Sequence, residues 1–181
     1  MSIIAIILAG GKSSRMGQDK GLMRYHGKSM ILHIIEAVKE SVDAIYISTS
    51  NSDYKKFGYK LISDDNPDKG PLGGIVSVMD KIKADEYIIL SCDVPHIERD
   101  YLNELVLAAK DYDVTLTIKD DRIHPLIAVY NQSALNHLKE QLALDNLKMT
   151  TAIEGLKINY HLAKKWPVQL VKNINTKKDI S

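Results

Sequence analysis

The chain has 181 residues, with 24 Lys and Arg against 23 Asp and Glu, and 45% of its residues are hydrophobic. That balance excludes a disordered chain, which has fewer apolar residues and a larger net charge. It also argues against a nucleic-acid binder, which shows a basic excess. One domain over residues 1–181 is the economical reading at this length.

Residues 3–8 form a continuous, β-branched apolar run of strand length. Such a run suits a strand buried on both faces of a parallel sheet. It is too short to span a bilayer, which takes about 20 residues. It also lacks the flanks of a secretion signal. Cys92 is the single cysteine, so no internal disulfide forms and a reducing compartment is expected. A cytoplasmic protein without membrane contact is the expectation.

Gly10 and Gly11 end the first strand. Residues 29–41 predict a helix with Met30, Ile31, Ile34, Ile35 and Val38 on one face and Ser29 as N-cap. Residues 44–48 and 60–63 read as strands. Gly70-Pro71-Leu72-Gly73-Gly74 is a loop that introduces a second amphipathic helix, with Ile75, Val76, Met79 and Ile82 inward. Residues 87–90 are a strand that stops at Ser91-Cys92-Asp93-Val94-Pro95. A helix over 99–110 follows, then strands over 114–118 and 126–130, with Asp120 and Asp121 in the turn between them. Ser133 is placed as the cap of a helix over 134–143. Residues 169–172 read as a last strand, and Thr176 as the cap of a terminal helix. Strands alternating with helices predict an α/β fold: a single-domain, Rossmann-like three-layer sandwich with a mostly parallel sheet.

The near-neutral total hides a segregation of charge. Residues 1–30 hold Lys12, Arg15, Lys20, Arg24 and Lys28 against Asp19 alone. Three of those cations lie in the stretch Leu8-Ala9-Gly10-Gly11-Lys12-Ser13-Ser14-Arg15-Met16-Gly17-Gln18-Asp19-Lys20, directly after the first strand. Glycines let backbone N–H groups approach a ligand closely, and successive N–H groups form an anion nest. With Lys12, Arg15 and Lys20 added, the loop suits a polyphosphate. It is not a Walker loop, because five residues separate Gly11 from Gly17 and Gln18 follows. Nor is it a dinucleotide fingerprint, since G-x-G-x-x-G does not occur.

Asp93 follows a buried strand and precedes Pro95, which delays any helix. A carboxylate is thereby expected at the same sheet edge as the phosphate loop, where ligands of α/β proteins collect. Mg²⁺ takes one or two carboxylates plus substrate phosphates, so Asp93 is a candidate ligand. Cys92 is read as a core thiol with no chemistry, and Trp166 as packing or interface. His124 suits a core or loop position as well as a substrate contact.

The first motif, with Gly70–Gly74, Cys92-Asp93-Val94-Pro95, His124-Pro125 and Asn173-Ile174-Asn175-Thr176, resembles the small nucleotidyltransferases. Within them it is most similar to the molybdenum cofactor guanylyltransferases of MobA type, along nearly the whole chain. The resemblance implies a nucleotide-diphospho-sugar transferase-like fold and transfer of GMP from Mg-GTP to the phosphate of molybdopterin. It implies nucleotide contacts at Leu8, Ala9, Gly10, Gly11, Lys20, Asp64 and Asp93, and a guanine-selecting loop at Pro71, Leu72, Gly73 and Gly74. The family usually has Ala where Gly73 stands, and commonly Asn near Ser48. Arg15, Lys20 and Asp93 would be catalytic, with Asp93 holding Mg²⁺ (Mn²⁺ being the alternative ion). His124, Asn173 and Asn175 would face the acceptor. GTP and molybdopterin are the implied partners, with molybdoenzyme chaperones or other cofactor-biosynthesis proteins beyond them. Rival readings are a cytidylyltransferase for molybdopterin, a sugar- or polyol-phosphate nucleotidyltransferase, and a non-catalytic carrier of the cofactor.

Overall fold

The computed structural model describes residues 1–10, 19–175 and 179. Its elements, in chain order, begin with β1 (Ile3–Leu8), a 3-10 turn (Lys20–Leu22) and a small hairpin of β2 (Arg24–Tyr25) and β3 (Lys28–Ser29). Then come α1 (Met30–Val38), β4 (Ala44–Ser48), a 3-10 helix (Ser52–Phe57), β5 (Lys60–Ile62) and α2 (Gly70–Lys81). The chain continues with β6 (Glu86–Ser91), α3 (Arg99–Leu107), β7 (Val114–Lys119) and β8 (Arg122–Asn131). It closes with α4 (Ala134–Ala143), α5 (Met149–Ala152), β9 (Ile158–Leu162) and a 3-10 helix (Val168–Val171).

Seven strands form one sheet in the order β5-β4-β1-β6-β8-β7-β9. All neighbours pair in parallel except β8, which runs against both β6 and β7. The expected mostly parallel sheet is present. One face carries α1 and α3 over Ile7, Ile47, Ile88 and Leu90. The other carries α2, α4 and α5 over Ile4, Ile6, Tyr87 and Ile89. Successive residues of β1 and β6 thus feed opposite cores, which explains their unbroken apolar runs. Among the described residues, no helix is long and apolar enough to cross a membrane.

Asp120 and Asp121 make the tight β7–β8 turn, at φ 49° and 58°. Two consecutive positive φ values match the twist of a two-residue hairpin, and Asp tolerates them. Other expectations need correction. Residues 169–172 are not a strand; Pro167 opens a 3-10 helix there, whose Leu170 and Val171 are buried for packing. The last strand is instead β9, an edge strand pairing with β7 alone. Gly70–Gly74 is not a loop ahead of a helix but the first turns of α2. Gly70 enters at φ 63°, and Pro71 takes the first-turn position where its missing N–H costs nothing. Ser29 precedes α1 but makes no side-chain cap, and Ser133 gives its hydroxyl to Asp113 instead of capping α4. Thr176 lies outside the described residues.

Candidate active site

The carboxyl ends of β5, β4, β1 and β6 lie along one edge. Hydrogen bonds extend this alignment beyond the strands: Ala9 N–H to the Ser48 carbonyl, Thr49 N–H to Ile62, and Cys92 N–H to Leu8, each 3.0 Å. From β1 the chain goes first to β4 and β5, then crosses by α2 to β6 on the other side. Such a reversal of strand order opens a crevice at the carboxyl edge. A cleft of about 800 Å³ lies there, within the range of small-molecule sites.

Leu8, Ala9 and Gly10 line its floor at the end of β1, beside Ser48 to Asn51. Asp64, Pro71 and Gly74 form one wall, and Asp19, Lys20 and Ser91 to Asp93 the other. Sequence had named eight of these residues: Leu8, Ala9, Gly10, Lys20, Asp64, Pro71, Gly74 and Asp93. Gly11 and Arg15 lie outside the described residues. Leu72 is not on the wall. It is 0% exposed and packs in the core beneath α2, because the helix turns it toward the sheet. Gly73 is also off the wall, beneath Asp64. A Cβ there would stand 2.8 Å from Asp64 Oδ2 and 2.9 Å from the Asn66 carbonyl. Residues 64–66 thus sit too close to α2 for a Cβ at position 73 unless one of them shifts.

Asp64 is held from below. Its Oδ1 accepts from Ser77 Oγ at 3.0 Å and from Asn66 N–H at 2.8 Å, and its Oδ2 lies over Gly73. Opposite, Asp93 is 8% exposed, and its Oδ1 accepts from Ser91 Oγ at 2.6 Å. Its Oδ2 accepts from Asn173 Nδ2 at 3.2 Å and lies 3.7 Å from Lys20 Nζ. Lys20 Nζ donates to Asn175 Oδ1 at 2.6 Å. The C-terminal segment is docked by Ile174 N–H on the Asp93 carbonyl at 2.8 Å. Asn173 and Asn175 therefore reach the site through Asp93 and Lys20, without being cleft-wall residues. Sequence reasoning did not assign Asp19, Asn51, Ser91 or Leu126 to the site, although Asp19 and Ser91 stood inside stretches it had quoted.

Whether Asp93 suits a divalent ion rests on its donors. Each oxygen keeps a lone pair beyond its side-chain bonds. Among the described residues no group of three or more His, Cys, Asp or Glu side chains gathers to cage a metal. A single carboxylate completed by water and phosphate oxygens fits Mg²⁺, which binds in that manner. Cys92, next in sequence, is buried, and burial pushes its thiol up to about 12. It is a neutral core group at physiological pH.

His124 does not line the cleft. Its Nε2 is buried with no hydrogen-bond partner among the described residues, and burial lowers its pKa.

Residues 5–156 match the model of the MobA-like NTP transferase domain. The chain belongs to that family. The MobA-like match ends before Asn173 and Asn175. A probable molybdenum cofactor guanylyltransferase of Clostridium perfringens is 38% identical over 139 residues, covering 76% of this chain and 70% of that one. A molybdenum cofactor guanylyltransferase of Haemophilus influenzae is 36% identical over 149 residues, covering 78% and 77%. The same fold occurs in the molybdopterin-guanine dinucleotide biosynthesis protein A of Archaeoglobus fulgidus, with a TM-score of 0.81 at 21% identity over 98% of this chain and 94% of that one.

Beside the site of this MobA-like domain, the β2–β3 hairpin is clamped by histidines. Tyr25 hydroxyl and His96 Nε2 share a hydrogen bond of 2.9 Å, and His33 Nε2–H donates to the Tyr25 carbonyl at 2.8 Å. Tyr25 packs with Met23, Met30 and Ile174, tying the hairpin to the C-terminal segment. Burial, then the fields of His26, His33 and Lys172, lowers the pKa of His96. The unfolded chain therefore takes up this proton first. Stability is complete above the ordinary imidazole pKa and falls as pH drops through about 6.5. His124 acts in the same direction. The melting temperature is expected to fall between about pH 7.5 and about pH 5.5 and to fall less in His96→Gln. An equal fall in that variant contradicts the role given to His96.

Proposed function

We propose that this protein transfers GMP from GTP to the phosphate of molybdopterin, releasing pyrophosphate and forming the guanine dinucleotide cofactor. The observation that carries this reading is the juxtaposition of Lys20 and Asp93, 3.7 Å apart, at the cleft edge between β1 and β6. The names of relatives at 36–38% identity supply the substrates.

The reaction is an in-line displacement. An oxygen of the acceptor phosphate forms a bond to the α-phosphorus, and the α–β anhydride bond breaks, its electrons leaving with pyrophosphate. A phosphate acceptor is already anionic at neutral pH and needs no general base. Among the described residues no His or Glu lines the cleft, and the Cys92 thiol stays protonated; the aspartates that line it are left to bind and to hold charge. Positioning and charge neutralisation are what this chemistry needs.

The end of β1 receives the nucleotide, where Gly10 leaves room for a backbone approach. The Asp64 carboxylate accepts from an N–H or O–H of the nucleoside. Lys20 neutralises the departing pyrophosphate, with Arg15 as its partner in the loop. Asn173 and Asn175 hold Asp93 and Lys20 in register from behind. Mg²⁺, or Mn²⁺, held at Asp93 supplies Lewis-acid neutralisation of the phosphate charge. A cytoplasmic location and hand-over to other cofactor-biosynthesis proteins belong to the same reading.

The test follows pyrophosphate release with Mg²⁺, molybdopterin and each nucleoside triphosphate in turn. Release is expected with GTP. Release with CTP instead moves the protein to the cytidylyl branch, and binding without release makes it a carrier.

A further inference from the structure

We infer that Tyr54 is a positioning residue for Lys20, acting through Asp19. The inference rests on the reading of Lys20 as a phosphate ligand.

Lys20 is carried by a 3-10 turn of three residues, Lys20–Leu22. A turn this short has little stability of its own, so something outside must fix it. Asp19 does so from the entry side. Its Oδ1 accepts from Gly21 N–H at 3.1 Å and also accepts the Tyr54 hydroxyl. Its Oδ2 accepts from Asn51 Nδ2 at 3.1 Å. Asn51 in turn caps the 3-10 helix that carries Tyr54, its Oδ1 accepting from Asp53 N–H at 3.0 Å. One carboxylate thus locks two short turns together.

Tyr54 is 0% exposed and is not part of the cleft wall. Its hydroxyl lies so close above Gly21 that a Cβ at that position would collide with it. Burial pushes the phenol pKa up, so the group remains a donor to Asp19. On the far side of the turn, Lys20 Nζ reaches Asn175 and faces Asp93. The hydroxyl of Tyr54 is spent on Asp19, away from the cleft. It sets where the Lys20 ammonium stands.

The test is a double-mutant cycle on GTP affinity, measured calorimetrically without acceptor in the wild type, Tyr54→Phe, Lys20→Ala and the double variant. Tyr54→Phe keeps the ring and removes only the hydroxyl. It is expected to weaken GTP binding about tenfold when Lys20 is present and no more than about twofold when it is absent. A structural role would weaken both backgrounds alike; that result, or no weakening with Lys20 present, overturns the inference. Unchanged GTP affinity in Lys20→Ala alone is a separate failure, which removes the reading of Lys20 and the inference with it. If melting curves show that Tyr54→Phe does not fold, Gly21→Ala, whose Cβ would displace the Tyr54 hydroxyl without lining the cleft, carries the same expectation.

Discussion

Asp93→Ala is expected to lower turnover of guanylyl transfer by about 10²–10³-fold, the usual cost of removing a preorganised charge-stabilising group. The side chain is fixed before any ligand arrives. Ser91 and Asn173 bond one oxygen each, so little rearrangement is required of it during the reaction. Its loss has a second consequence. Lys20 loses its facing carboxylate, and Asn173 loses an acceptor. The fold is expected to persist, because the C-terminal segment is docked on the Asp93 backbone carbonyl, which the substitution retains. Steady-state kinetics with melting curves check both halves. Near-wild-type turnover would remove Asp93 from the reaction.

Lys20→Ala has an effect of the same order, about 10²–10³-fold in kcat/KM. Here the missing charge is one that neutralises the leaving pyrophosphate. Lys20→Arg is not expected to restore the rate. Guanidinium is a planar fork, whereas the site holds a compact ammonium between Asn175 and Asp93. Full activity in the Arg variant would mean that charge alone matters and that the geometry around Lys20 does not.

The place of these two residues at the cleft was legible because each sits in a short local pattern. Asp93 follows a six-residue buried strand, and Lys20 closes a glycine-rich loop. The parallel strands were legible for the same kind of reason: a strand buried on both faces writes an unbroken apolar run. The edge strand β9 has no such run. Its residues Ile158 to Leu162 alternate with polar groups, and Tyr160 and Leu162 remain half exposed. Residues 169–172 gave the opposite error, since apolar burial alone does not distinguish a strand from a 3-10 turn. Leu72 was assigned to the site by its place in the Gly70–Gly74 motif, although the helical period turns it into the core. Asn51 and Tyr54 left no mark at all in sequence. They meet Asp19 across 32 and 35 positions, and only the fold brings them together.

The central claim is that the α-phosphate of GTP leaves this cleft attached to molybdopterin. It is tested most directly with GTP labelled at the α-phosphorus, incubated with the protein, Mg²⁺ and molybdopterin, followed by separation of the products. The label is expected in a guanine dinucleotide of molybdopterin, in equal amount to the pyrophosphate released, and to enter it about 10²–10³-fold more slowly when Asp93→Ala replaces the wild type. Label that stays in GTP, or appears only as free GMP, would contradict the account.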